Sequence, residues 1–451
     1  MEIYSKLILI FISVFNLTLS ATISDIAWTE HIIDDPSLGP NDLAGSDGLE
    51  VADLDKDGYL DIVSVHELDT EYGIPKGYVR IAWGSKDPFK WELTTLASGL
   101  EAPSAEDVDI EDADGDGWPD IIVACELAHL IYFKNPTTNH RSVKWDRTIP
   151  EVSLNRGSYI RVFFADFNQD GKVEVVAANK GGENPEIIDA PLNNISIYQL
   201  PKEPLEGSKW KELVLTQVRI PINSQPLDLD QDGDIDIVVG SRGERRILWL
   251  ENKGEFKFIE HNINFSSDLE TGSWITGFNM DYADLNNDGR LDIISSVWPS
   301  SVYALFQPVN HDEEWNIEKI GSIAPDLLVS VSLADIDGDG DKDIFSGSYS
   351  MGSRDKDDVN NLNNAFGSVV WFENKNNSWK KNNILRRKRG MYDKWIPLDL
   401  DGDSDIDFIG TRGNSQPYDG VIWLEQIRFE DTNMVFKAAR SIDSESVPFN
   451  D

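Results

Sequence analysis

Seven copies of an acidic nonapeptide, Asp-x-Asp-x-Asp-Gly-x-x-Asp or a close variant, run through this sequence of 451 residues. Successive copies start 59, 54, 62, 56, 51 and 64 residues apart. A single motif of this kind can arise by chance in an acidic protein, but seven at near-regular spacing indicate an internal repeat. The copies begin at Asp53, Asp112, Asp166, Asp228, Asp284, Asp335 and Asp399.

The residue types in the motif suit calcium. Calcium takes six to eight oxygen ligands at roughly 2.3–2.6 Å, and alternate carboxylates along a tight loop can converge on one ion. In the first copy Gly58 permits the sharp turn, and Tyr59 offers its backbone carbonyl. We therefore expect up to seven calcium ions. The predicted ligands are Asp53, Asp55, Asp57 and Asp61; Asp112, Asp114, Asp116 and Asp120; Asp166, Asn168, Asp170 and Glu174; Asp228, Asp230, Asp232 and Asp236; Asp284, Asn286, Asp288 and Asp292; Asp335, Asp337, Asp339 and Asp343; and Asp399, Asp401, Asp403 and Asp407.

Three loops depart from the full motif. The third has Asn168 at its third position and Glu174 at its ninth, and the fifth has Asn286 at its third position. The seventh has Ser404 where the glycine belongs, which predicts a strained turn. The alternative interpretation of all seven motifs is a set of solvated acidic turns without metal, and it applies most to the third and seventh loops.

Short apolar runs flank every acidic loop and predict an all-β repeat. In the first repeat, residues 49–52 precede the loop and residues 62–65 follow it; a third run ends at Trp83, and Trp91 opens a fourth. Four strands per repeat and seven repeats predict a seven-bladed β-propeller of four-stranded antiparallel blades. Residues 28–33 read as an extra fourth strand, which could complete or flank the last blade and so cover an exposed sheet edge.

The loops, placed between the first and second strands, resemble the FG-GAP/VCBS repeats of integrin α-subunit heads. The resemblance covers roughly residues 45–425, and the calcium loop is its specific part. It implies a propeller with a calcium loop in each blade. The sequence departs from integrins because all seven repeats carry the loop and because leg domains and a transmembrane helix are not expected. It is more similar to stand-alone secreted VCBS-repeat proteins, a likeness that predicts fold far better than activity.

The N-terminal residues favour secretion. Residues 1–20 have a lysine, an apolar run over residues 7–15 and small residues before a plausible cleavage point, which is typical of a signal peptide. The run is too short to span a bilayer, so we expect residues 21–451 to be a single secreted propeller, periplasmic in a bacterial host, and monomeric. Cys125 is the only cysteine, so stability must come from the core and from bound metal.

The net charge of −40 disfavours several classes of partner. The predicted ligands include 26 carboxylates, and seven calcium ions would add 14 positive charges, which leaves about −26. Nucleic acids and anionic membranes are not expected partners, because too few cations are available to neutralise phosphates. The one basic run, residues 386–389, is expected to lie in a solvent-facing loop.

A ligand is expected on the face opposite the calcium loops. Strands alternate in direction within a blade, so the loops between second and third strands share that face with the connections between blades. Acids, bases and flat aromatics on a concave face suit an extracellular glycan or protein segment; the alternative is an ordinary polar loop face. The candidates are His66, Glu67, Glu126, Arg156, Tyr159, Lys180, Arg242, Trp298, Tyr349 and Trp395.

The sequence favours a binding or adhesion module over an enzyme or a purely structural array. It has no nucleophile elbow and no His-Glu-x-x-His zinc motif, and its six histidines are scattered. The enzymatic alternative is a calcium-dependent polysaccharide lyase or another carbohydrate-active enzyme on the propeller face. A lyase needs a base, a neutraliser for a uronate carboxylate and a groove. Groups of those types are available at His66, Tyr159, Lys180, Arg242 and Tyr349, but no spacing assigns catalytic roles to them.

Overall fold

A computed structural model describes residues 25–68, 75–182, 184–187, 189–267, 269–311, 313–350, 364–375, 378–429, 435–441 and 446–449. The predicted signal peptide, residues 1–20, lies outside the described residues. Over the described part, 29 strands form seven sheets, and two 3-10 helices lie in connections between strands. This arrangement confirms the all-β, seven-bladed propeller. Among these same residues, no helix has the length and apolar character needed to cross a membrane.

The first three blades follow the first three sequence repeats. Strand β1, which precedes them, spans Asp25–Asp34. Blade 1 contains β2 (Ser46–Ala52), β3 (Asp61–His66), β4 (Gly77–Trp83) and β5 (Glu92–Gly99). Blade 2 contains β6 (Ala105–Glu111), β7 (Asp120–Cys125), β8 (Leu130–Lys134) and β9 (Asp146–Thr148). Blade 3 contains β10 (Tyr159–Ala165), β11 (Glu174–Asn179), β12 (Leu192–Gln199) and β13 (Lys211–Arg219), and the 3-10 helices span Glu151–Ser153 and Gly207–Lys209.

The remaining repeats form blades 4–7. Blade 4 contains β14 (Pro221–Leu227), β15 (Asp236–Ser241), β16 (Arg246–Asn252) and β17 (Phe258–Asn262). Blade 5 contains β18 (Trp274–Ala283), β19 (Asp292–Trp298), β20 (Ser301–Phe306) and β21 (Asn316–Ser322). Blade 6 contains β22 (Leu327–Ala334), β23 (Asp343–Tyr349), β24 (Gly367–Asn374) and β25 (Trp379–Arg387). Blade 7 contains β26 (Trp395–Leu398), β27 (Asp407–Arg412) and β28 (Gly420–Phe429), and β29 spans Phe436–Lys437.

The N-terminal strand completes the last blade. β1 pairs antiparallel with β28, from Asp25 opposite Phe429 to Asp34 opposite Val421. β29 then adds a short parallel strand outside β1, where Trp28 pairs with Phe436. The prediction that the N-terminal segment supplies the fourth strand of blade 7 is therefore confirmed, and the edge of β28 is covered.

The hydrophobic core is distributed between the blades. Within the described residues it divides into seven clusters, each joining the facing sides of two adjacent blades. Trp83 of blade 1 and Trp145 of blade 2 share one cluster with Cys125, while Leu49 and Trp423 belong to the cluster that joins blade 1 to blade 7. These tryptophans therefore act as spacers between adjacent blades.

Polar side chains of the first strands link the blades around the channel. Asp107 of blade 2 accepts a hydrogen bond from the amide of Val162 in blade 3, at 3.1 Å. Asn279 of blade 5 donates to the carbonyl of Val329 in blade 6, at 2.7 Å. Each bond crosses a blade boundary, so the first strands are held in register with one another. The same kind of bond joins Asp109 to Phe164, Asn223 to Phe278, Asp281 to Leu333, and Ser332 to Trp395.

The first two residues of the basic run are buried, so the expectation of a solvent-facing loop is wrong for them. Arg386 and Arg387 end β25 and are 3% and 1% exposed. The guanidinium of Arg386 donates to Asp326 at 2.7 Å, and that of Arg387 donates to both carboxylate oxygens of Glu30 at 2.7 and 2.8 Å. Because Glu30 lies on β1, the second pair ties blade 6 to the strand that closes the ring.

Isolating three blades should prevent folding. Residues 46–219 contain blades 1–3, and without blades 4 and 7 two of the apolar clusters would be open to water. We expect this fragment to be aggregated or poorly ordered by size-exclusion chromatography and circular dichroism. A soluble, monomeric fragment with a sharp thermal transition would contradict the interpretation of the ring as one cooperative unit.

Replacing Glu30 with glutamine should destabilise the protein by about 3 kcal/mol at neutral pH, because it removes one charge of a buried pair. Burial raises the pKa of Glu30, but the hydrogen bonds and charge of Arg387 outweigh that effect and lower the pKa from 4.5 to about 2. A carboxyl whose pKa is lowered by folding stabilises the protein above its unfolded pKa and loses that contribution as pH falls.

The measurement is the difference in free energy of unfolding between the wild type and Glu30→Gln, from urea titrations at several pH values. This difference should be constant above about pH 5 and shrink as pH falls from 4.5 towards 2. If the difference did not change with pH, the ionised Glu30 would not be the source of the stabilisation.

Candidate functional site

All seven acidic loops lie between the first and second strands of their blades, so they share one face of the ring. In the first loop, the Asp53 carboxylate accepts a hydrogen bond from the amide of Gly58 at 3.0 Å, and Gly58 has a φ of 93°. Ser404 takes the equivalent place in the seventh loop with a φ of 76°. A side chain in this left-handed region costs roughly 1–2 kcal/mol, so the seventh turn keeps its shape under strain. The same bond joins Gly117 to Asp112, Gly171 to Asp166, Gly233 to Asp228, Gly289 to Asp284, Gly340 to Asp335, and Ser404 to Asp399.

The loop carboxylates converge as a cation site requires. In the first loop, oxygens of Asp53, Asp55 and Asp57 lie within 4.8 Å of one another. One oxygen each of Asp228 and Asp335 is buried and, within the described structure, has no hydrogen-bond partner. Because buried carboxylate oxygens are costly when unsatisfied, this all-oxygen donor set fits a hard cation such as calcium. Equivalent convergence occurs at Asp112, Asp114 and Asp120, and at Asp228, Asp230 and Asp236.

The ninth position has a structural role that the sequence did not reveal. The two carboxylate oxygens of Asp61 accept hydrogen bonds from the amides of Leu54, within the loop, and Gly84, just after the third strand, at 2.9 and 2.8 Å. Burial raises the pKa of Asp61 to about 7. The ninth carboxylate of the first loop therefore ties that loop to the end of the third strand of its own blade, as well as offering a ligand atom. The same pair of bonds is made by Asp236, Asp292, Asp343 and Asp407.

Side-chain amides attach the loops to the neighbouring blade. Asn135 follows the third strand of blade 2, and its amide group donates to the carbonyl of Leu54 in the loop of blade 1 at 3.0 Å. Arg141 of blade 2 reaches the same loop, 2.7 Å from Asp55 and 2.8 Å from Asp57. The loop of blade 1 is thus fixed at a blade boundary. The equivalent amide contacts join Asn252 to Phe167, Gln307 to Leu229, and Gln426 to Ile336.

The loops with substituted ligands keep their conformation. The Asn168 side chain accepts a hydrogen bond from the amide of Asp170 at 2.8 Å and donates one to Glu174 at 3.1 Å. In the fifth loop, Asn286 accepts from the amide of Asp288 at 2.9 Å. An amide oxygen remains a possible cation ligand at the third position, although its negative charge is lost.

A cavity of about 390 Å³ lies at the channel mouth on the opposite face. It is bounded by the starts of first strands and the ends of second strands. Its walls come from six blades and the start of the seventh, and several blades thus contribute to one enclosed space. Among the described residues, the predicted ligand-face residues that line it are Glu67, Glu126, Lys180, Arg242, Trp298 and Tyr349.

Aromatic rings form one side of this pocket. Trp274 and Trp298 are stacked with centroids 5.7 Å apart and an interplanar angle of 27°. The guanidinium of Arg245 lies 4.3 Å from the Trp274 ring, and that of Arg161 lies 4.6 Å from the ring of Phe278. Cation–π contacts of this kind hold the rings in place, so the aromatic wall is preformed.

Carboxylates form the opposite side. Asp47, Glu67 and Glu106 are all buried, and an oxygen of each lies within 4.8 Å of the others. Burial, and then the charges of Glu67 and Asp47, raise the pKa of Glu106 well above its usual value. Glu126 is paired with Lys180. This wall therefore favours hydrogen-bond donors and positively charged groups.

Four candidates do not face the pocket. His66 is fully buried between the hydroxyls of Ser46 and Ser64, at 2.6 and 3.0 Å, and burial followed by the charge of Arg80 lowers its pKa to about 3. An uncharged, enclosed imidazole cannot reach a ligand at the mouth. Tyr159 is in the core with its hydroxyl on Tyr198, Trp395 is buried and stacked on Tyr392, and Arg156 lies at the periphery on Glu212.

Residues on the inner faces of the first strands were missed by the sequence analysis. Phe278 and Asp393 line the pocket, and Arg161 forms an ion pair with Asp393 at 2.9 Å. The available signal was the position of each residue shortly after the start of a repeat, where alternate side chains point into the channel. The register of those short strands decides which residue points inward.

A larger cleft of about 1040 Å³ lies on the calcium-loop face between blades 2 and 3. It is bounded by loop carboxylates and by lysines, including Lys134, which is paired with Asp114 and Asp116. Its walls lack the stacked aromatics of the channel mouth, so the channel-mouth pocket is the better-formed binding site.

The FG-GAP-like repeat model matches residues 53–123, 112–177 and 228–295. Each match begins at the first aspartate of an acidic loop and ends within the second strand of a blade. None of the curated proteins compared with the chain matches its sequence.

Two similar solved structures are propellers of comparable length. YCF48 from Cyanidioschyzon merolae has 10% identity and a TM-score of 0.51, over 88% of this chain and 98% of that chain. BBS1N in complex with ARL6DN, soaked with lead, has 11% identity and a TM-score of 0.47, over 90% of this chain and 99% of that chain. Likeness at such low identity concerns the fold alone. The three matched repeats and the ring of seven four-stranded blades together support an FG-GAP-repeat β-propeller family for this chain.

Proposed function

We propose that this protein is a binding or adhesion module whose ligand, an extracellular glycan or protein segment, enters the pocket at the channel mouth. The observation that carries the proposal is the stacked pair Trp274 and Trp298 facing buried carboxylates across one cavity. Pockets that combine flat apolar surface with a few convergent polar groups are the usual form of a ligand site.

The two walls indicate what the ligand must offer. A sugar ring, or a flat part of a peptide, has an apolar face that can lie against Trp298. Its hydroxyl or ammonium groups would then meet the acidic wall at Glu67 and Glu106, whose oxygens accept hydrogen bonds. A ligand that carries positive charge, such as an amino sugar or a basic peptide, fits this arrangement better than a uronate does.

Truncating Trp298 to alanine should weaken ligand binding tenfold or more, about 1.4 kcal/mol, because it removes half of the aromatic wall. Ligands would first be found on glycan and peptide arrays in the presence of calcium, and the affinity then measured by isothermal titration calorimetry. The thermal stability of the variant should change little, since Trp298 is only partly buried.

Two tryptophans serve as controls. Trp118 is partly exposed on the calcium-loop face, so Trp118→Ala should leave the affinity unchanged. Trp249 is 1% exposed within an inter-blade cluster, so Trp249→Ala should lower the melting temperature. If Trp298→Ala left binding intact while Trp118→Ala reduced it, the ligand would bind on the calcium-loop face.

We further propose that calcium bound in the acidic loops stabilises the ring. Crowded carboxylates repel one another, and the first, third, fourth and sixth loops are attached to a neighbouring blade through contacts such as Asn135 to Leu54. An ion held by the acids at positions one, three, five and nine, and by the carbonyl at position seven, would fix both the turn and the blade boundary. Binding to the folded state alone stabilises that state by mass action.

Substituting Asp335 with asparagine should have opposite effects with and without calcium. One oxygen of Asp335 is buried and unsatisfied in the described structure, so without metal the neutral amide relieves repulsion and should raise the melting temperature. In millimolar calcium, the range in which extracellular modules bind, the lost ligand charge should lower it. Differential scanning calorimetry with calcium and with a chelator measures both.

The exposed Asp146, on β9 and outside any loop, is the matched control, and Asp146→Asn should shift neither melting temperature. If Asp335→Asn changed stability by the same amount in calcium and in chelator, calcium would not bind at the sixth loop.

We also propose that the protein is secreted, directed by residues 1–20, into an environment where calcium is abundant. The acidic loops support this, because they offer calcium ligands in every blade.

A further inference from the structure

A second type of donor set lies beside the fourth acidic loop. Asp230 is the third residue of that loop, Glu251 lies on β16 of the same blade, and His311 comes from the connection between β20 and β21 of blade 5. One ligand atom from each, including a ring nitrogen of His311, lies within 4.8 Å of the others. The fold thus places an imidazole from blade 5 beside two carboxylates of blade 4.

Packing holds these side chains in position. The ring of His311 meets Trp249 edge-on, with centroids 4.8 Å apart and an interplanar angle of 78°. His261 stacks on the same tryptophan at 4.8 Å, and its Nε2 lies 2.9 Å from a carboxylate oxygen of Glu251. Glu251 is therefore oriented by a histidine that is not itself in the cluster, as metal-binding carboxylates often are.

We propose that Asp230, Glu251 and His311 form a site for a divalent transition metal, and that zinc is the ion this donor set fits best. Calcium selects oxygen ligands, whereas one imidazole with carboxylates suits zinc. Zinc holds such ligands at about 2.0–2.2 Å, so neighbouring donor atoms around it are about 3.4 Å apart. Movements on the order of 1 Å would bring the three groups to that spacing. The site goes beyond the proposed binding function and does not depend on it.

Blade 7 provides a natural comparison. There, Asp401 is the third loop residue, and Glu425 lies 2.6 Å from His31, as Glu251 lies close to His261. The position that His311 occupies is taken by Phe89, from the connection between β4 and β5 of blade 1, with its ring 5.2 Å from Trp423. Blades 4 and 7 thus share the carboxylates, the stacked histidine and the tryptophan, but only blade 4 receives an imidazole from the next blade at this position.

A lysine lies beside the carboxylates of the fourth-loop cluster and offsets part of their negative charge. Lys253 is paired with Glu251 and lies 4.0 Å from Asp232. Its ammonium group partly neutralises the carboxylates that a metal would otherwise neutralise. A bound dication would compete with it, so Lys253→Met should raise the affinity for the metal severalfold.

The test is a titration of the full chain with Co²⁺ in excess calcium, so that the all-oxygen loops are occupied. Visible absorption bands typical of an imidazole-containing site should saturate at one equivalent, and zinc, but not further calcium, should abolish them. His311→Ala and Glu251→Gln should each weaken Co²⁺ binding at least tenfold, whereas Glu425→Gln should leave it unchanged.

A gain of function makes the test independent of any folding defect in those variants. Phe89→His places an imidazole at the equivalent position of blade 7 and should add a second equivalent of bound Co²⁺. The proposal is overturned if the bands are absent, if calcium displaces the metal, or if Glu425→Gln weakens binding as much as Glu251→Gln does. Failure of the ligand proposal would leave these outcomes unaffected. Asp230 is also a predicted calcium ligand of the fourth loop, and its two carboxylate oxygens allow it to contact both ions.

Discussion

Burial of apolar surface between blades is the constraint on which the rest of the molecule depends. A four-stranded blade has two apolar faces, and only its two neighbours can cover them. The seven inter-blade clusters meet this need for every blade at once, provided that the ring closes. Closure brings β1 onto β28 and places Glu30 against Arg387. The loops and the pocket are then positioned by the ends of strands that cannot move independently.

The two faces of the ring are consequently different kinds of surface. On one face, ninth-position carboxylates such as Asp61 attach loops to their own blades, and side-chain amides such as that of Asn135 attach loops to a neighbouring blade. On the other face, the starts of the first strands converge on the channel, and side chains from blades far apart in sequence meet. Arg161 and Asp393, 232 residues apart, form an ion pair there. The first face is therefore a set of separate acidic loops, whereas the second is a single cavity shared by several blades.

Spacing and residue type were enough to predict the repeat, the four strands, the position of each loop and the strand that closes the ring. These features depend on local patterns that recur seven times. The directions of individual side chains at strand ends were harder to predict. His66 and Glu67 are adjacent, but the first is enclosed by hydroxyls and the second lines the cavity. Such a difference is set by strand register, since successive side chains of a strand point to opposite faces.

The basic run is a second feature whose position could not be predicted from the sequence. Four consecutive cationic residues usually lie in solvent, and Arg386 and Arg387 are buried only because Asp326 and Glu30 face them. Those partners lie 60 and 357 residues away in the chain. Pairing at such separations has no local signature. The same holds for Phe278, which joins the aromatic wall of the pocket only because the ring brings blades 3, 4 and 5 together at the channel.

The position of β1 has a consequence for how the protein is made. Among the described strands, β1 leaves the ribosome first, yet its partner strand, β28, is among the last to be synthesised. For nearly the whole of translation the nascent chain carries a ten-residue strand without its mate, and an incomplete blade would expose the hydrogen-bonding groups of β28. Two chains at that stage could exchange their first strands. Fidelity of assembly would then depend on how quickly one chain's own ends meet, which makes local chain concentration during synthesis a determinant of yield.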